Sequence, residues 1–229
     1  MNKVFSVLKL YFRETVRALL IILLLMSAAE LVMYFINSSQ AYDFSWLIDS
    51  CHIYHIFIVA YVSMLTMNAT VNLRNSNYGY TMQRLQISEK SAFLIQCAAY
   101  TVNLLIVHLW QMILVYVLYR LFMAKGYQTA ATVYSEFYQN NTLGLIIPLL
   151  RKGQWMINAI VLILGGLETA SINVKTRYGK YINIGFVALQ PRFYSIIDTP
   201  IYRMSGRIVL VMIDFFWACE LTHNGKGRR

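Results

Sequence analysis

The chain has 229 residues, 58% of them hydrophobic and only 13% charged, with a mean hydropathy of +0.51. That is too apolar for an ordinary soluble domain, in which about a quarter of the residues are charged. A net charge of +10 does not make a nucleic-acid binder, because the basic residues punctuate apolar runs instead of gathering on a soluble face.

Their placement reads as topology, since Lys and Arg collect in cytoplasmic loops. Cys51, Cys97 and Cys219 each lie in or at an apolar run, and no CxxC or Cys/His ligand pair accompanies them. Neither a disulfide framework nor a zinc site is expected, and no cofactor is implied. The expected fold is all-α: a polytopic helical bundle in the bilayer, forming one transmembrane domain over residues 1–229.

In chain order, residues 1–16 carry Lys3, Lys9 and Arg13 against Val4, Leu8, Tyr11, Phe12 and Val16. Spacings of three and four give a helix an apolar stripe and a basic flank, which suits an interfacial helix on the inner membrane surface. Ala18 to Ile36 is long enough for a span, which needs about twenty apolar residues. A cleaved signal peptide fits less well, because the apolar run exceeds an ordinary h-region and further spans follow.

Asn37 to Ser50 has no Lys or Arg, only Asp43 and Asp49, with Trp46 suited to the interface, and reads as an external loop. Cys51 to Asn68 returns the chain inward. His52 and His55 share a helical face at the start of that span, with no third ligand near them in sequence.

Residues 71–90 are a polar interlude between long apolar runs. Asn75-Ser76-Asn77-Tyr78-Gly79 is a turn cluster, because Asn and Ser bond the local backbone and Gly accepts positive φ. Thr81 to Ile87 sets Met82, Leu85 and Ile87 among Gln83, Arg84 and Gln86, the pattern of a short amphipathic helix. Ser88 then serves as the N-cap of the next helix, with Glu89 favoured in its first turn by the macrodipole. The segment is either an ordinary cytoplasmic loop or a docking helix.

Ser91 to Met123 is too short for two spans and a turn, so one long helix is expected. Residues 124–154 form an external loop whose Leu143 to Leu150, broken by Pro148, reads as a re-entrant or interfacial helix. Trp155 to Val174 is a fourth span, returned inside by Lys175, Arg177 and Lys180. Residues 175–229 then hold a Pro-interrupted pair of apolar segments.

That pair is either a fifth and sixth span or a membrane-associated cytoplasmic tail. The tail places Arg192, Arg203 and Arg207 on the inner side, as the positive-inside rule prefers, whereas the apolar content of Ile208 to Leu221 favours six spans. Both arrangements put the N and C termini in the cytoplasm of a cell bounded by this inner membrane.

Glu30, His108, Glu168 and Asp214 fall within expected spans. Ionisable groups are expensive there and mark a candidate pathway, the alternative being hydrogen bonding to neighbouring helices or a position near the interface. Catalytic signatures are missing: the sequence has no HExxH, no GxSxG and no GxxxxGK[ST] phosphate loop. No enzyme activity is expected, and any ATP-driven work needs a partner's nucleotide site.

The order of a basic amphipathic N-terminal helix, two spans, a cytoplasmic helix, a long third span and further spans resembles the permease subunit of export-type (type-2) ABC transporters. Tyr80 to Lys90, followed by Phe93 and Gln96, is similar to the coupling-helix segment of small permease-like proteins of gut Firmicutes. The resemblance covers roughly residues 1–180, and the chain departs from it in the Pro-interrupted end. It implies that Thr81, Met82, Arg84, Leu85 and Ile87 dock on a separate ATP-binding cassette subunit. It also implies a second permease copy as homodimer or heterodimer partner, and a substrate moved across the bilayer.

The competing expectation is a non-transporting membrane protein, such as an immunity, scaffold or assembly factor. An intramembrane enzyme built on Glu30, His108 and Asp214 is a third reading, although their spacing fits no catalytic set.

Overall fold

The computed structural model describes residues 3–41, 43–74, 88–126, 140, 143, 146–147 and 154–177. Every element among them is helical: α1 (Lys3–Asn37), α2 (Phe44–Ser50), α3 (Ile53–Arg74), α4 (Glu89–Met123) and α5 (Gln154–Arg177). The all-α expectation therefore holds for the described residues.

The segment read as a separate interfacial helix, residues 1–16, is continuous with the first span. No Gly or Pro interrupts Lys3–Asn37, so nothing in the backbone stops the helix where the basic residues end. At 35 residues α1 is about 50 Å long, well beyond a hydrocarbon core of about 30 Å. Its buried line runs Val7, Tyr11 and Thr15 at four-residue spacing, while Val16 of the expected stripe is exposed.

α4 also has 35 residues and forms one helix, as its length predicts. Ser88 caps it, its Oγ accepting from the Ser91 backbone N–H at 3.2 Å. The other end stops at Gly126, whose φ of +82° is a left-handed conformation that glycine adopts without strain. Its N–H donates to the Met123 carbonyl at 3.1 Å, closing the last turn.

The expected external loop of residues 37–50 contains α2. Asp43 caps it by accepting from the Trp46 N–H at 2.5 Å. Cys51 and His52 separate α2 from α3, with His52 at a φ of +52°, and the two helices meet at a bend of 47°.

Among the described residues two helices are long and apolar enough to cross a membrane, Phe5–Asn37 and Lys90–Met123, or three if the bent pair Phe44–Ser50 and Ile53–Ala69 forms one span. Both long helices leave large apolar side chains exposed, among them Leu24, Leu25 and Phe35 on α1 and Leu94, Ile113 and Tyr116 on α4. Such faces are costly in water and ordinary in lipid.

The span count read from the sequence is not reached among the described residues. α5 is helical, but its apolar stretch, Asn158–Asn173, falls in the shorter class of apolar helices. The C-terminal pair lies beyond residue 177, outside the described residues, as does most of the turn and docking segment.

The helices contribute to two compact units. One draws on the described residues within Met1–Leu19, Val62–Leu104 and Leu162–Arg229. Its core gathers Val7 and Tyr11 of α1, Phe93, Cys97 and Tyr100 of α4, and Ala170 of α5. Within it Gly166 of α5 lies so close to α4 that an added Cβ would strike the Thr101 hydroxyl and stand 2.9 Å from the Cys97 carbonyl oxygen. A small residue is what permits that approach.

The other unit draws on Leu20–Tyr61 and Leu105–Val161. Its core is built on Tyr34, Phe44, Leu47, Ile48, Leu118 and Phe122. The Phe44 ring meets Tyr119 at 5.6 Å and Phe122 at 5.7 Å between centroids.

From the expected external loop, Leu143 and Ile146 join this core. Ile147 N–H donates to the Leu143 carbonyl at 2.7 Å; the rest of the expected re-entrant or interfacial helix lies outside the described residues. Asn140 ties Leu143 to α2, its Oδ1 accepting from Leu143 N–H at 3.0 Å and its Nδ2 donating to Ser45 Oγ at 2.7 Å.

Candidate functional site

In the first unit, four helices meet through uncharged polar side chains. Asn103 of α4 donates to Thr15 Oγ1 of α1 at 3.0 Å and to Asn68 Oδ1 of α3 at 3.2 Å. Asn173 of α5 donates to the Asn68 carbonyl oxygen at 2.9 Å and to the Tyr100 hydroxyl at 2.6 Å. Gln96, one turn before Tyr100, donates to the same hydroxyl at 2.7 Å.

All of these side chains are buried. Gln96, Tyr100 and Asn103 follow one another at four and three residues, which places them on one face of α4. Interhelical hydrogen bonds of this kind contribute about 0.6 kcal/mol each on average within a bilayer, and up to about 2 kcal/mol. Their directionality sets register as well as stability: sliding one helix breaks bonds to several others at once.

The second unit holds a different set. Glu30 of α1 is fully buried and Gln111 of α4 lies beside its carboxyl. No polar side-chain atom of either residue closes a hydrogen bond of good geometry. His108, one turn before Gln111, hydrogen-bonds the Ile146 backbone and packs edge-on to Phe57 at 5.5 Å between centroids.

The Nε2 of His108 is buried without a partner, and the Tyr34 hydroxyl is in the same condition. Lys125 is the nearby cation of this unit that has visible partners. Its Nζ donates to Ser38 Oγ at 2.8 Å and lies 5.5 Å from the centre of the Tyr34 ring. An ionised carboxylate removed from water without a partner costs several kcal/mol even after relaxation. A buried polar group in this condition therefore needs an explanation.

Of the pathway residues read from the sequence, Glu30 and His108 fall in the same unit. Glu168 is buried on α5 within the other unit. Asp214 lies outside the described residues, as do Thr81, Met82, Arg84, Leu85 and Ile87. His52 and His55 are exposed neighbours with ring centroids 5.6 Å apart. No group of three or more His, Cys, Asp or Glu side chains suited to a metal occurs among the described residues.

The uncharged partners Asn68, Asn103, Asn173 and Gln111 were not among the residues singled out from the sequence. Their signal was available: amide side chains inside apolar runs, recurring on α4 at helical spacing. A search confined to ionisable groups passes over them, because an amide carries no charge.

Compared with known proteins, the chain matches no family model, no curated sequence and no solved structure.

Proposed function

We propose that the protein is the membrane subunit of a transport system of the inner membrane, an export-type permease energised by a separate ATP-binding cassette subunit that docks on residues 81–87. One observation carries the reading. The helices on either side of that segment, α3 ending at Arg74 and α4 beginning at Glu89, are tied to α1 and α5 through Asn68, Asn103 and Asn173.

A displacement applied between Arg74 and Glu89 therefore acts on a hydrogen-bonded set of four helices rather than on a loose loop. Rigid coupling of this sort converts motion of a soluble partner into helix rearrangement. In the proposed docking helix, Leu85 and Ile87 supply packing and Arg84 supplies orientation more than affinity. A second permease copy, as homodimer or heterodimer partner, completes the pathway, and both termini are cytoplasmic.

The test is co-purification with the phosphate-loop ATPase encoded beside it, comparing wild type with Arg84→Glu and Leu85→Asp. Recovery is expected to fall at least tenfold in both variants, the equivalent of about 1.4 kcal/mol. Equal recovery in all three, or no ATPase binding to the wild type, removes docking at this segment and favours a non-transporting scaffold. Labelling of a cysteine placed at Gln83 or Gln86 from outside intact cells would overturn the orientation as well.

A further inference from the structure

We propose that Glu30, with Gln111 beside it, forms a site for a small cation, with the proton on the Glu30 carboxyl as its occupant. The inference stands on the second unit alone and does not require an ATPase on residues 81–87.

Glu30 is fully buried, within a helix long and apolar enough to cross a membrane. Gln111 lies beside its carboxyl, yet the two carboxyl oxygens and both polar side-chain atoms of Gln111 close no hydrogen bond of good geometry. No basic side chain pairs with the carboxyl among the described residues. One turn before Gln111 on α4, the His108 Nε2 is also buried without a partner.

The carboxyl has an uncharged amide beside it and no cation, so positive charge is what completes the site. The smallest such ligand needs no cavity, only an oxygen to sit on. Binding a proton also removes the charge that makes a lone carboxylate costly at this depth.

The titratable groups around the site come from each element packed there. Tyr34 is one turn further along α1, His108 stands on α4, and Cys51 acts electrostatically on both Tyr34 and Glu30 from the bend between α2 and α3. Lys125 reaches only the Tyr34 ring and Ser38. The Gln111 amide is the group beside the carboxyl that can turn its N–H toward the charged form or its carbonyl toward the protonated one. It can serve both states without moving the helix.

An apolar carbodiimide reacts with protonated carboxyls in membrane interiors, and it supplies the test on the full-length protein in lipid nanodiscs. Mass spectrometry is expected to place the adduct on Glu30, with a rate that falls about tenfold per unit of pH once the carboxyl ionises. Glu30→Gln abolishes the adduct, Glu30→Asp retains it, and Gln111→Leu moves the midpoint of the pH profile while Ser27→Ala leaves it in place.

Sodium or ammonium chloride, exchanged for an inert salt at constant ionic strength, separates the sources of charge. No protection identifies the proton, whereas protection supports the same site with a larger cation competing for it. The proposal is overturned if Glu30 stays unlabelled in protein that remains monodisperse, or if Glu168 is labelled at the same rate with the same profile. The first result would mean that the Glu30 carboxyl holds no reactive proton, the second that the carbodiimide reads general reactivity rather than this site.

Discussion

In the first unit each of four helices carries a polar side chain bonded to another helix, and the core beside them sets Phe93 and Tyr100 among alanines. In the second, Phe44, Phe122 and Tyr119 bring rings together, and the Glu30 carboxyl and the Gln111 amide close no hydrogen bond of good geometry. The contrast teaches a division of labour. Paired amides fix where helices stand, whereas an unpaired carboxyl stores a cost that only a ligand relieves.

Four substitutions break or sharpen that contrast when unfolding of the purified protein is followed in detergent micelles. Phe44→Ala is expected to have the largest effect, about 3–5 kcal/mol, because it empties the ring cluster of a fully buried aromatic. A loss below about 1 kcal/mol would remove the claim that rings carry the second unit.

Gly166→Ala comes next at about 1–3 kcal/mol, since its methyl meets backbone atoms of α4 that cannot rotate away. Thr101→Ala alongside it should recover only part of the loss, because the Cys97 carbonyl still stands in the way.

Asn103→Leu should cost about 1 kcal/mol, and a double-mutant cycle with Thr15→Ala should return a coupling of about 0.6 kcal/mol. Zero coupling would mean that the bond between them does not hold α1 to α4. The smallest change is expected for Ser27→Ala, about 0.5 kcal/mol or less. It removes the acceptor of the half-exposed Trp110 indole N–H, bonded at 2.9 Å, and leaves no buried group without a partner.

What the sequence revealed follows the range of the interaction concerned. The cap at Ser88 was legible because capping is settled within three residues of chain, and α4 as one helix was legible from its length. The continuity of α1 was obscured by Lys3, Lys9 and Arg13, which look like the edge of a membrane surface. A helix is ended by its backbone, and none of these residues interrupts one.

The burial of Tyr11 was visible in the apolar stripe, but that of Val7 and Thr15 was not, since Val7 packs in a core shared with α4 and α5 and Thr15 is bonded from α4. The pairing of Asn103 with residues 88 and 35 positions away is a tertiary fact that no local pattern encodes. Glu30 and His108 stood out singly as ionisable groups in apolar runs. The arrival of Gln111 beside Glu30 depends on the packing of α1 with α4.

The alternation of the two units along the chain has one more consequence. Each takes its material from separate stretches of the same long helices, so the boundary between them falls inside α1, α3, α4 and α5 rather than in any loop. No single protease cut and no truncated clone can release either half intact. A lesion in one should therefore be felt in the other as a loss of whole-chain accumulation in the cell, and complementation by split fragments should succeed only when the break is placed in a connection such as residues 75–87.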